Sequence, residues 1–173
     1  MAKLTVNTKA LESMLFIWAS LADREKLPDA FFIELSESPE MVAAYDENFD
    51  ANGFRKVLSA LANRELLNGA TQREKRFWNN NMWMTEDLEF TNMMVEPLKT
   101  LNLDERAAEI CKAAGSDECE VIFYPGCDEF ATRKGNKLYI NFFKVQLDIM
   151  NPDAPPTLEG QSIPDYIEAR FKA

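Results

Sequence analysis

Residues 10–22 read ALESMLFIWASLA, and the fold is expected to form around this stretch. Its apolar side chains recur at three- and four-residue spacing, which predicts one buried helix face formed by Leu11, Met14, Leu15, Trp18, Leu21 and Ala22. Phe16 and Ile17 widen that face. Three polar positions then remain for water: Glu12, Ser13 and Ser20. We therefore predict a central core helix, which at about 13 residues is too short to cross a bilayer.

Helical patterns continue as far as Gly115. The spacing of apolar residues predicts further helices over residues 28–35, 38–45, 52–67, 71–82, 85–102 and 104–114. Thr71 and Glu74 have the spacing of a capping box at a helix start, and Gly69 is expected to end the preceding helix in the left-handed conformation. Pro97 is expected to kink its helix or to begin a new one.

After Gly115 the pattern changes to β-branched and aromatic runs. Strands are predicted over residues 120–124, 129–133 and 137–143, the last two forming a hairpin. Beyond the hairpin the apolar residues change phase, which fits either a β-bulge near Phe142 or a helix over residues 142–150. A proline-rich loop then leads to a final helix capped by Ser162.

The separation of helices and strands along the chain predicts an α+β fold. We expect an N-terminal, mostly helical part, followed by a small antiparallel β-meander and a C-terminal helix. Residues 1–173 are expected to form a single domain, with a subdivision into 1–115 and 116–173 as the alternative. Since the second part has only about 58 residues, it is expected to pack on the helices.

The chain contains no histidine, and this excludes several kinds of site. Ser-His-Asp and Cys-His catalysis, zinc sites with two or three histidines, and pH switching by imidazole are all impossible. The chain has 29 acidic and 19 basic side chains, for a net charge of −10. This charge disfavours binding to nucleic acid or to anionic membranes, and it is compatible with a partner protein that has a basic surface.

The three cysteines, Cys111, Cys119 and Cys127, occur at eight-residue spacing. Neither this spacing nor the odd number matches a zinc motif or a secreted disulfide framework, so we expect reduced thiols in a cytoplasmic protein. The N-terminal residues show no secretory signal pattern, which agrees with that location. Cys127 follows a predicted strand, but Asp128 and Glu129 beside it disfavour a thiolate, so a turn or packing role is expected.

Other motifs give no cofactor or metal site. No glycine-rich phosphate loop is present, and residues 46–53, DENFDANG, lack the alternation of a calcium loop, so we expect them to connect and cap helices. The basic cluster 73–76 is interrupted by Glu74, which favours a solvated helix face over a nucleic-acid contact. A helix-turn-helix within residues 10–67 is disfavoured by the acids beside its candidate recognition helix.

Acidic residues are concentrated in three stretches that contain no Lys or Arg. These stretches are residues 34–50, 116–129 and 146–169. If two of them share one face, that face would attract a basic protein or imitate the charge spacing of DNA. The alternative is that they are separate solvated loops.

Residues 77–84, FWNNNMWM, combine two tryptophans and two methionines with three asparagines. Trp and Met adapt well to partner surfaces and ligand pockets, although they are also ordinary core residues. We therefore single out Trp78, Met82, Trp83 and Met84 as a candidate partner or pocket surface. No catalytic residue is named, because the sequence does not select a pair among 29 acids.

These observations predict a soluble, acidic, cytoplasmic protein that is non-catalytic and binds another protein, as an accessory, inhibitor or immunity-type protein. The alternative is a small-molecule-binding protein, or an enzyme that uses a carboxylate-lined pocket without histidine. The first hypothesis predicts an exposed acidic or apolar patch, and the second predicts a deep pocket with converging polar groups. The identity of the partner and the oligomeric state are left open.

Overall fold

The structure, a computed structural model, describes residues 2–151 and 153–173. The predicted α+β class is confirmed. The helices are α1 (Lys9–Ala22), α2 (Asp29–Ser36), α3 (Pro39–Val42), α4 (Ala51–Asn63), α5 (Gln72–Glu86), α6 (Leu88–Lys99), α7 (Ala107–Ala114) and α8 (Ile163–Lys172). The strands are β1 (Lys3–Asn7), β2 (Glu118–Tyr124), β3 (Ala131–Lys134), β4 (Lys137–Asn141), β5 (Thr157–Leu158) and β6 (Gln161–Ser162). Among the described residues, no helix is long and apolar enough to cross a membrane.

The main sheet is mixed, with the strand order β1-β2-β4-β3. β1 and β4 run parallel to β2, whereas β3 runs antiparallel to β4. The sheet is therefore not the predicted antiparallel meander. Its β3–β4 hairpin is antiparallel as predicted, whereas its other two strand pairs are parallel. The difference arises from β1, which the sequence analysis did not anticipate. Its alternation of polar and apolar residues is only five residues long, and Lys3 pairs with Glu118, far along the chain.

Helices cover both faces of this sheet. Successive residues of a strand point to opposite faces. Cys119 contacts Cys111 of α7, whereas the neighbouring Glu120 shares the Asn7 amide with Glu40 of α3, so α7 and α3 lie on opposite faces of β2. α8 packs beside α7, and α1 packs beside α3 and contacts α5 and α6.

The central helix expected over residues 10–22 is α1. Four of its side chains are completely buried: Leu11, Met14, Ile17 and Trp18. The Trp18 indole Nε1 donates a hydrogen bond of 2.8 Å to Asn81 Oδ1 of α5, which ties the two helices together inside the core. The expected exposure is wrong at three positions, because Ser20 is buried, Ala22 is exposed and Phe16 is 53% exposed. Phe16 instead lies against Phe31 of α2, with ring centroids 5.5 Å apart.

The connection from α4 to α5 differs from the prediction at one end. α4 stops at Asn63, because Arg64 adopts the left-handed conformation there. Gly69 is left-handed as expected, with φ of 63°, but it lies in the loop beyond the helix end. The capping box at the start of α5 is confirmed. Thr71 Oγ1 accepts from the Glu74 amide at 3.1 Å, and Glu74 Oε1 accepts from the Thr71 amide at 2.9 Å. α5 then continues to Glu86, beyond its predicted end.

The segments after α5 also depart from the prediction in detail. α6 is capped by Asp87, whose Oδ1 accepts from the Phe90 amide at 3.1 Å, and Pro97 lies inside this helix. After β4 the chain forms neither the predicted bulge nor the predicted helix, but a short 3-10 turn over Phe142–Lys144. The Ser162 cap of α8 is confirmed by a 3.3 Å bond from the Asp165 amide.

Strands from both sides of Gly115 share the main sheet, since β1 pairs with β2. Aromatic rings from both sides also meet, with Trp18 stacked on Phe142 at 5.8 Å between centroids. The single domain over residues 1–173 and its possible subdivision stay predictions.

Candidate functional site

An apolar groove lies where α1, α4 and α5 end. Its volume is about 490 Å³. The main apolar side chains that line it are Leu21, Leu61, Leu66, Trp78 and Met82. Leu66 is 85% exposed, although it belongs to this apolar lining. The groove therefore presents an uncovered apolar surface next to α5.

Two of the predicted site residues, Trp78 and Met82, line this groove. They are four residues apart on α5, so they project from the same side of the helix. Both are half-buried. The Trp78 Nε1 donor is buried, and it has no hydrogen-bond acceptor within residues 2–151 and 153–173. The structure thus brings these two residues together with α1 and α4, a neighbourhood that the sequence pattern did not reveal.

Two arginines at the groove follow the ends of α1 and α4. Arg24 has φ of 61° and Arg64 has φ of 56°. Each stands where glycine is common in the Schellman motif, in which two amides bond back to the last turn. At α4, the Arg64 amide bonds to the Leu61 carbonyl at 3.3 Å and the Glu65 amide to the Ala60 carbonyl at 2.8 Å.

The same pattern ends α1, where the Arg24 amide bonds to the Leu21 carbonyl at 3.2 Å. α7 ends in this motif too, but there the left-handed residue is Gly115. Arg24, Arg64, Glu65 and Glu86 all line the groove. Among the described side chains, neither arginine forms an ion pair with a carboxylate.

Trp83 lies outside the groove lining, on another side of α5. Its side chain is 70% exposed. One turn before it, Asn80 donates through Nδ2 to the carbonyls of Gly126 and Cys127, at 3.3 and 2.9 Å. One turn after it stands Glu86, the last residue of the helix. Trp83 therefore stands between the loop after β2 and an acidic helix end.

Met84 has a packing role in the structure. It is half-buried, and its Sδ accepts from Thr91 Oγ1 of α6 at 3.6 Å. The Thr91 hydroxyl also bonds to the Met84 carbonyl at 3.0 Å, which fixes the turn between α5 and α6. The four predicted site residues thus occupy three places: the groove, the exposed side of α5 and the α5–α6 contact.

Two of the three acidic stretches meet at two points in the structure. Near α3, Asn7 Nδ2 donates to Glu40 Oε1 at 3.1 Å and to Glu120 Oε2 at 2.9 Å. Lys137 Nζ lies 3.7 Å from the other oxygen of Glu120. Residues 34–50 and 116–129 are therefore joined here through a shared amide.

The second meeting point is Arg73, at the start of α5. Its guanidinium lies 3.3 Å from carboxylate oxygens of Asp46, Asp128 and Glu129. Three acids from both stretches therefore surround one base. The predicted solvated role for the basic cluster is wrong for this residue, since the Arg73 side chain is only 19% exposed. The stretch 146–169 is engaged elsewhere, with Asp165 paired to Arg106 at 2.7 Å.

The cysteines are buried and unpaired. Burial raises the pKa of the Cys127 thiol, although the nearby Arg73 opposes this effect. Burial, with Cys111 as neighbour, raises the pKa of Cys119 to about 11. Both effects work against a thiolate nucleophile, in agreement with the expected packing role.

The predicted capping role of residues 46–53 is confirmed. Asp46 Oδ1 accepts from the amides of Asn48 and Phe49 at 2.8 and 3.0 Å, and Asp50 Oδ1 accepts from the Gly53 amide at 2.9 Å to cap α4. In the part of the chain that the structure describes, no group of three or more Cys, Asp or Glu residues is placed to hold a metal ion.

Comparisons of the chain with protein family models, with curated proteins and with solved structures found no significant match. The groove arginines were missed by sequence reasoning, because nothing in the sequence around Arg24 or Arg64 marks a left-handed residue. Asn80 was within the tract 77–84, but its bonds to the loop after β2 depend on the tertiary fold.

Proposed function

We propose that this protein acts by binding a partner protein with a basic surface, and that the partner docks around Trp83. The exposed indole carries this proposal, since Trp83 is 70% exposed whereas Trp18 is completely buried. Tryptophan is among the residues that dominate binding energy at protein interfaces. Its large apolar area also makes prolonged exposure to water unfavourable.

The charges near Trp83 support a basic partner. Glu86 and Asp87 follow it on one side, and Asp128 adjoins the loop that Asn80 holds on the other. Within the described residues, neither Glu86 nor Asp87 forms an ion pair. A Lys or Arg of the partner could lie on the indole face and also pair with these carboxylates.

The convergence of two acidic stretches adds a wider electrostatic component. Arg73 is surrounded by three carboxylates, so the face around it keeps an excess of negative charge. Such a field accelerates encounter with a basic protein and weakens as salt is added. This supports an accessory or inhibitor-type binding protein. We also propose a cytoplasmic location, since unpaired thiols suit a reducing compartment.

The experiment is affinity capture from host lysate with the wild-type chain and the variants Trp83→Ala and Glu86→Gln, read by mass spectrometry. Proteins that the wild-type chain retains at low salt should be lost at high salt and lost with Trp83→Ala, and they should be weakened with Glu86→Gln. The Trp83→Ala variant should keep its free energy of unfolding within about 0.5 kcal/mol of wild type, because the side chain is exposed.

The matched control is Ile149→Ala, since Ile149 is 78% exposed and lies in a different segment. This variant should recover the same proteins as the wild-type chain. Equal recovery by all variants, or no specific protein with the wild-type chain, would refute docking at Trp83. A large loss of stability in Trp83→Ala would show instead that the indole belongs to the core.

A further inference from the structure

The groove lined by Trp78 and Met82, on the side of α5 away from Trp83, has the volume of a small-molecule site. Ligand pockets commonly have volumes of about 300–1,000 Å³, with mostly apolar walls and a few polar groups. The groove has about 490 Å³ and is walled by Leu21, Leu61, Trp78 and Met82. An aromatic ring and a flexible thioether side chain suit an apolar ligand of variable shape.

The two arginines indicate the charge of the ligand. Glu65 and Glu86 also line the groove, yet among the described residues neither Arg24 nor Arg64 pairs with a carboxylate, so both guanidinium groups are available to a ligand. A guanidinium matches a carboxylate with two parallel hydrogen bonds. The groove therefore has an apolar wall for a hydrocarbon body and two cationic side chains for an acid group.

The backbone at these arginines strengthens the assignment. Arg24 and Arg64 stand at left-handed positions, which cost an ordinary side chain energy that glycine avoids. The chain uses glycine at the equivalent end of α7, where Gly115 has φ of 72°. Arginine at the other two ends is thus unfavourable for the fold, and both of these side chains line the same groove.

From these observations we propose that the groove binds a small organic acid with an apolar body and one carboxylate, such as a medium-chain fatty acid, with Arg24 and Arg64 holding the carboxylate. The hydrocarbon part lies against Trp78 and Met82. This site and the surface around Trp83 have Glu86 in common, but Trp83 does not line the groove. Since the two proposals rest on different side chains, Arg24 and Arg64 here and Trp83 there, either can fail without the other.

The test is isothermal titration calorimetry with three probes: decanoate and decyltrimethylammonium below their micelle concentrations, and decan-1-ol below its solubility limit. The wild-type chain should bind decanoate more tightly than decan-1-ol by a factor of ten or more, as expected for a charge-assisted contact. It should bind the cation most weakly. The double variant Arg24→Gln/Arg64→Gln should lose this tenfold preference and keep its affinity for decan-1-ol.

Two further variants locate the site. Met82→Glu places a charge on the groove wall and should abolish binding of decanoate and decan-1-ol. Arg76→Gln removes an exposed arginine of α5 that does not line the groove, and it should leave both affinities unchanged. The proposal would be overturned if the wild-type chain bound decanoate and decan-1-ol equally, preferred the cation, or showed no detectable binding of decanoate. It would also be overturned if either the double Gln variant or Met82→Glu bound decanoate as tightly as wild type.

Discussion

Replacing the two groove arginines by glycine should make the protein more stable. Arg24 and Arg64 are exposed and adopt left-handed backbone conformations, with φ of 61° and 56°. This conformation costs a residue with a side chain about 1–2 kcal/mol. Glycine removes the strain but adds about 0.5–1 kcal/mol of conformational entropy to the unfolded state.

The expected gain is therefore about 0.5–1 kcal/mol per site, or about 1–2 kcal/mol for the double variant Arg24→Gly/Arg64→Gly. In a chain of this size 1 kcal/mol corresponds to about 2–4 °C, so the melting temperature should rise by about 2–8 °C. Thermal and urea unfolding followed by circular dichroism would measure the change. The same variant should lose its preference for decanoate, so stability and binding should move in opposite directions.

The matched control is Arg76→Gly, since Arg76 is an exposed arginine inside α5. There the backbone is right-handed, and glycine should lower stability by about 1 kcal/mol. A double variant less stable than wild type, alongside a control that behaves as expected, would refute the reasoning from backbone strain.

Three further predictions concern buried groups. Trp18→Phe should lower the free energy of unfolding by about 1–3 kcal/mol beyond any packing change, because it leaves buried Asn81 Oδ1 without its donor. Trp78→Phe should cost less, because it removes a donor that has no acceptor among the described residues. Urea unfolding of both variants compares these losses, and equal losses would contradict this account. The three thiols should resist iodoacetamide at pH 8 in the native state and react fully in denaturant, and rapid native labelling would contradict their burial. Because the pKa of Cys119 is raised from 9.0 to about 11, the thiol ionises at lower pH in the unfolded chain than in the folded one. The contribution of the neutral Cys119 thiol to the free energy of unfolding is therefore present below pH 9 and is lost as the pH rises to about 11. Unfolding of Cys119→Ser and of wild type across that pH range would test this.

The helical elements could be predicted wherever local chemistry decides them. The apolar spacing in residues 10–22 gave α1, and the pair Thr71 and Glu74 gave the start of α5, because both depend on residues within one or two turns. The direction of the strands could not be predicted in this way. The pairing of β1 with β2 depends on contacts between residues more than a hundred positions apart, and a five-residue strand carries little local signal.

The candidate sites show the same division. The tract 77–84 lies in α5, and two of its residues, Trp78 and Trp83, lie on different sides of that helix. The packing of α1 and α4 against α5 decides which of the two lines the groove. The arginines of the groove were invisible because left-handed helix ends are usually predicted from glycine. The meeting of two acidic stretches at Asn7 and Arg73 likewise depends on the position of α3 and α5 against the sheet.

Trp78 and Trp83 mark two separate faces of α5, the groove side and the exposed side. This division is tested most directly by the indole signals of the three tryptophans in a ¹H–¹⁵N spectrum. Each signal is assigned from its Trp→Phe variant, and decanoate is then added to saturation. The Trp78 signal should shift, while the signals of Trp18 and Trp83 should stay in place. A shift confined to Trp83, or no shift at Trp78, would contradict the division of α5 into a ligand side and a partner side.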